Sequence, residues 1–122
     1  MDNNHRQEIR IAHAETIFIE VQSSYANNLG EGSSKLLICN SVDVSANGIQ
    51  AQIDEPLPVG AIYQLCVEIA EPAERLFLAA QVKWIRKIDD GQAYHVGLMI
   101  FESDDTDIEG WKRHIARQLS NE

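Results

Sequence analysis

Apolar residues recur at every second position in short stretches along this chain, and turn residues separate the stretches. Period two is the mark of a strand with one face buried, because successive side chains point to opposite sides of the backbone. Thr16 to Val21 places Ile17, Ile19 and Val21 on one face, and Lys35 to Val42 is a nearly continuous apolar run of strand length. Ile49, Ala51 and Ile53 alternate with Gln50 and Gln52. After the turn Leu57-Pro58-Val59-Gly60, residues Tyr63, Leu65, Val67 and Ile69 alternate with Gln64, Cys66 and Glu68. Leu78, Ala80, Val82 and Trp84 continue the period; Asp89-Asp90-Gly91 signals a hairpin, and Tyr94, Val96, Leu98 and Ile100 return. Six short strands with tight turns and little helix between them predict an antiparallel barrel or sandwich, a mainly β fold.

The period changes near the C-terminus. Thr106-x-x-Glu109 reads as a capping box, preceded by Asp104 and Asp105, which suit the positive end of a helix dipole. Ile108, Trp111, Ile115 and Leu119 then recur at helical spacing, with Lys112, Arg113 and Arg117 between them. The pattern predicts one amphipathic helix over 104–122, with Trp111 packed on the barrel rather than stacked on a ligand. Residues 15–103 would form the barrel and residues 1–14 a flexible arm. Ser23 to Lys35, rich in Ser, Asn and Gly, reads as a loop.

A chain of 122 residues has room for one small domain. No apolar run approaches the ~18 residues of a membrane span, and the polar N-terminus has no apolar h-region of a secretory signal. These features predict a cytoplasmic protein with no membrane insertion. The net charge of −9 disfavours a nucleic acid polymer as partner, since phosphate neutralisation needs a basic face. Cys39 and Cys66 lie far apart without metal-like spacing and read as reduced thiols. His5, His13, His95 and His114 are scattered, and no nucleophile elbow, Walker or zinc spacing appears. The expectation is a binding protein with no catalytic residues, no metal and no bound cofactor.

Two short motifs suggest what it binds. Arg6-Gln7-Glu8-Ile9-Arg10 has the form RxxxR, the most useful local cationic cluster in an acidic chain. Guanidinium forks onto phosphate oxygens or the guanine O6/N7 edge, and it stacks on base planes. Asp43-Val44-Ser45-Ala46-Asn47-Gly48 has the form DxSxxG. A carboxylate accepts two parallel N–H bonds from the N1 and N2 edge of guanine, which adenine does not offer, and a serine hydroxyl bonds phosphate, base or backbone. Asn47-Gly48 reads as a hairpin turn with positive φ. Each motif alone also has a plain structural reading, as a charged terminus or an ordinary turn.

In this order, with a strand between them and the later strands and helix behind, the motifs closely resemble the PilZ domain. Leu57 to Ile69 looks like the family's turn and strand after the motif, and Val82-Lys83-Trp84-Ile85-Arg86 through Val96-Gly97 to Phe101 looks like its late hairpin. The resemblance implies a six-stranded antiparallel β-barrel with a C-terminal α-helix, and binding of cyclic di-GMP, a bacterial second messenger. It implies that Arg6 and Arg10 hold phosphate and guanine, that Asp43 and Ser45 hydrogen-bond a guanine, and that Gly48 permits the turn. Trp84 alternates with Val82, so core packing is its first reading; at a barrel rim its indole could instead stack on a guanine. The arm would fold over the barrel mouth on binding, and an unidentified effector protein would read the new surface. The alternative is a ligand-independent PilZ-like interaction module that docks through the barrel or the terminal helix.

Overall fold

The computed structural model describes residues 15–23, 33–70, 73–88 and 91–120. Its strands are β1 (Thr16–Ser23), β2 (Ser33–Val44), β3 (Gly48–Ile53), β4 (Ile62–Ala70), β5 (Ala73–Ile88) and β6 (Ala93–Ile100), followed by helix α1 (Ile108–Ser120). Every pairing is antiparallel, and the strands close in the order β1-β2-β3-β6-β5-β4. This is the expected six-stranded barrel with a C-terminal helix. Each strand thus pairs with a neighbour on both sides over part of its length.

The alternation read from the sequence fills the interior. Ile17, Ile19, Ile49, Ala51, Ile53, Leu65, Val67, Ile69, Leu78, Ala80, Val82, Val96, Leu98 and Ile100 are all buried. The apolar run of β2 divides by parity, with Leu37 and Cys39 inside while Leu36 and Ile38 stay exposed. Gly60, the one described glycine with a left-handed φ (94°), makes the turn before β4.

Two bulges reset that parity where it matters most. In β2, Ser41 pairs with Ala51 and Asp43 with Gln50, so Val42 is an extra residue. Cys39 and Ser41 face inward, and strict alternation would drive Asp43 into the core and Val44 out. The bulge reverses this: Val44 is fully buried and Asp43 is half-buried. In β5, Val82 pairs with Leu98 and Trp84 with Gly97, leaving Lys83 extra. Trp84 therefore leaves the barrel interior, which corrects its first reading as a core residue.

Helix α1 closes one end, burying Ile108, Trp111, His114 and Ile115. Its start differs from the expected capping box. The Asp107 carbonyl accepts the first intrahelical bond, from the Trp111 N–H at 3.0 Å. Asp107 also pairs with Phe77 of β5: its N–H donates to the Phe77 carbonyl (2.8 Å) and its carboxylate accepts the Phe77 N–H (2.8 Å). The reason is geometric, since β5 runs past the end of β6 there and offers open backbone groups. The Thr106 hydroxyl instead donates to the Ser103 carbonyl at 2.7 Å.

Candidate functional site

The DxSxxG segment is the β2–β3 hairpin, and Ser45 organises it. The Ser45 N–H donates to the Gly48 carbonyl (2.9 Å), as a tight hairpin requires. The return bond is unusual, because the Gly48 N–H goes to the Ser45 hydroxyl (3.1 Å), which also accepts the Asn47 N–H (3.3 Å). The hydroxyl thus does the work of the residue's own carbonyl. That carbonyl is left for the Trp111 Nε1–H of α1, at 3.0 Å. Ser45 is completely buried. Gly48 does not supply a positive φ; it is the first residue of β3, pairs with Met99 of β6 and is buried.

Outside the barrel, the registers align a row of four residues. Asp43 pairs with Gln50, Gln50 with Gly97, and Gly97 with Trp84. The row crosses β2, β3, β6 and β5, so at one strand spacing per step it is about 14 Å long. Gly97 sits between inward-facing Val96 and Leu98, so its missing side chain leaves a gap on the outer wall. The Trp84 indole occupies that gap: a Cβ on Gly97 would stand 2.2 Å from Trp84 Nε1. A shallow concavity of about 220 Å³ opens here, lined by Asn47, Gly48, Gln50, Lys83, Trp84 and Met99. Arg86 places its guanidinium carbon 5.2 Å from the Trp84 ring centroid, and both Arg86 and Lys83 are exposed. A carboxylate, an aromatic plane and two cations therefore share one outer face beside the hairpin, a combination suited to a planar base carrying phosphate.

A buried polar pair joins helix α1 to the start of β1. Glu15 immediately precedes β1, and its carboxylate meets His114 Nε2 at 2.7 Å, with both side chains almost wholly buried. The Glu15 N–H donates to the Ser41 hydroxyl (2.8 Å), and the Ser41 N–H to the Glu15 carbonyl (3.0 Å). His114 lies one helical turn beyond Trp111, with ring centroids 5.7 Å apart.

Arg6 and Arg10 lie outside the described residues, as do most of the Ser23 to Lys35 loop and the Asp89-Asp90 pair. Of the sequence-predicted site, the fold gathers Asp43, Ser45, Gly48 and Trp84 around one hairpin and its neighbouring outer wall. Sequence reasoning missed Gln50, Gly97, Lys83 and Arg86, although Lys83-Trp84-Ile85-Arg86 stood in view as a mixed aromatic and basic run. It also missed Glu15 and His114, which are 99 positions apart.

Other features of the described residues are less suggestive. A wider concavity of about 400 Å³ on the opposite wall is lined largely by apolar groups, among them Phe18, Leu36 and Phe77, and by none of the motif residues. Cys39 and Cys66 are free thiols. Burial pushes the Cys39 thiol up to about 12, helped by the nearby Asp54 charge. Among the described residues there is no group of three or more His, Cys, Asp or Glu able to hold a metal, and no helix long and apolar enough to cross a membrane.

Known proteins share this architecture. The fold is similar to that of the Bacillus subtilis inhibitor of motility MotI/DgrA, with a TM-score of 0.71 at 17% identity over 100% of this chain and 54% of that one. It is also similar to the PilZ domain of YcgR from Escherichia coli, a structure with c-di-GMP, with a TM-score of 0.66 at 18% identity over 98% of this chain and 99% of that one. Identities this low carry the fold alone, and this chain spans little more than half the length of MotI. No curated protein matches the sequence. The PilZ domain family model matches residues 4–120, from before the RxxxR motif to the end of α1, and the chain belongs to the PilZ domain family.

Proposed function

We propose that this protein is a receptor for cyclic di-GMP that signals to a partner protein. The observation that carries the reading is the outer row Asp43–Gln50–Gly97–Trp84, set beside the DxSxxG hairpin on a family barrel. Asp43 accepts the N1 and N2 hydrogens of a guanine. Ser45 and Gly48 hold the hairpin so that the ligand approaches its backbone, the buried Ser45 hydroxyl acting through the turn it shapes. Trp84 offers its indole face to a base, and base–aromatic stacking contributes about 1–3 kcal/mol. Lys83 and Arg86 lower the local negative potential of an acidic chain. Arg6 and Arg10, on an N-terminal arm, fold over the hairpin and clamp phosphate and guanine. Ordering the arm costs conformational entropy, offset by charge-assisted hydrogen bonds of about 1.5–3 kcal/mol each. The ordered arm and the ligand then present a new surface to an effector protein. That the YcgR domain was solved with c-di-GMP supports this choice of ligand.

Titrating cyclic di-GMP while following tryptophan emission tests the reading. Saturable quenching is expected, and Trp84→Phe should remove most of it because Trp111 is buried away from solvent. An unchanged spectrum at near-millimolar ligand would contradict a base stacked on Trp84.

A further inference from the structure

We infer that the outer wall formed by β2, β1, β4 and β5 is the face through which two copies of this chain associate as a dimer. The face and its test are independent of the ligand reading. The registers align a second row on this wall: Ile38 pairs with Phe18, Phe18 with Cys66, and Cys66 with Phe77. Ile38 and Phe77, with Leu36 beside them, each leave more than half of their surface exposed. Contiguous apolar surface of this kind marks an interaction site. The row is not flat, because the small Cys66 side chain lies between two phenyl rings, and the concavity of about 400 Å³ opens there. A nucleotide finds little in it, since its one described cation, Arg75, is held by Glu68 at 3.1 Å.

A second copy of the same wall fits it. A two-fold axis along the strands, between β1 and β4, sets β1 of each copy against β4 of the other and β2 against β5, level by level. Phe18 of each copy then enters the other's notch over Cys66, and Ile38 meets Phe77. The polar rim agrees with this axis. Glu20 is level with Gln64 and Thr16 with Glu68, so each carboxylate meets an amide or hydroxyl donor of the other copy and neither meets a carboxylate. Arg75, level with Glu68 and through it with Asn40, meets that neutral amide. An axis along the row would instead stack Phe18 on Phe18 and leave the notch empty. A basic partner would answer Glu20 but meet Arg75 as a like charge. A face of this size buries roughly 1,000 Å² in the pair, the low end of specific interfaces, so the dimer is weak and reversible. Each copy carries a net charge of −9, so salt should tighten the dimer by screening the repulsion between copies. The row from Asp43 to Trp84 crosses β2, β3, β6 and β5, and the dimer leaves it open on both copies.

Sedimentation equilibrium of the full chain without ligand, from micromolar to near-millimolar concentration, tests this. The mean mass should climb from monomer towards dimer, and at lower concentration in high salt. Ile38→Asp should weaken association by at least about ten-fold, by placing a charge in the apolar contact. Gln64→Glu should weaken it by about ten-fold, because the two-fold axis sets carboxylates face to face twice. Adding Glu20→Gln to that variant should restore association, since a carboxylate again faces an amide. Gln52→Glu, the same change on exposed β3 away from this wall, should have no effect. The parent alone gives a second readout: alkylation of Cys66 should slow as protein concentration rises, while buried Cys39 stays unreactive. A parent that stays monomeric, with a Cys66 rate independent of concentration, would overturn the inference. If a lysine–leucine amphipathic peptide then protects Cys66, the wall belongs to a basic partner instead. A dimer indifferent to Ile38→Asp and Gln64→Glu would also overturn it, by placing the interface elsewhere.

Discussion

At the scale of single residues, the same few atoms shape the turn and define the candidate site. The Ser45 hydroxyl, itself fully buried, satisfies two backbone N–H groups of the hairpin. Ser45→Ala leaves both without that acceptor, so chemical denaturation should report a loss of about 1–3 kcal/mol. An unchanged midpoint would mean that the hairpin holds without the hydroxyl. Gly97 matters for what it lacks. A methyl at this position meets the Trp84 indole far inside contact distance, so Gly97→Ala should displace the ring and shift its emission. The barrel should survive, because a side chain rather than backbone gives way. The two thiols should differ in chemistry. Burial raises Cys39 from 9.0 to about 12 and raises the half-exposed Cys66 as well. Alkylation at pH 8 should label Cys66 first and Cys39 only on unfolding. The fold favours the protonated Cys39 thiol, so its contribution to stability is complete below pH 9 and is lost as the pH rises towards 12.

At the scale of elements, the strands were legible because a half-buried strand writes its period into the sequence. Ile49, Ala51 and Ile53, or Leu65, Val67 and Ile69, sit where alternation puts them. The bulges were not legible. Val42 and Lys83 are ordinary strand residues, and an extra residue shows only against a partner strand that the sequence does not identify. That single hidden step separates a core Trp84 from one on the outer wall. It equally separates an Asp43 buried among aliphatic groups from one beside the hairpin. Deleting Val42 should leave Ser41, Asp43 and Val44 in regular alternation, with Asp43 still outside and Val44 still inside, and cost some stability through loss of the local bend and twist that the bulge gives the hairpin. Denaturant unfolding would detect it, and parental stability in the deletion would show that the bulge is dispensable. The helix start was read one step wrong for a similar reason, since Asp107 is recruited by open groups on β5 that local sequence does not reveal.

At the scale of the whole molecule, a strongly acidic chain is proposed to recruit an anion, and among the described residues two supporting cations share the face of the outer row. Lys83 and Arg86 flank Trp84 there, and Arg6 and Arg10 precede β1 in sequence. Replacing Arg6 or Arg10 with Ala should weaken binding and flatten its dependence on salt. Asp43→Ala should cost about ten- to a hundred-fold and relax selectivity for guanine over adenine, as loss of a charge-assisted hydrogen bond does. The folded core and the hairpin half of this arrangement could be read from residues 15 onward. The Glu15–His114 contact could not, because nothing local in either residue's neighbourhood marks a partner 99 positions away. The most direct measurement is isothermal titration calorimetry of cyclic di-GMP against the parent and Asp43→Ala. Saturable heat in the parent that falls sharply in the variant is the predicted result, and no heat from the parent at near-millimolar ligand would contradict the account.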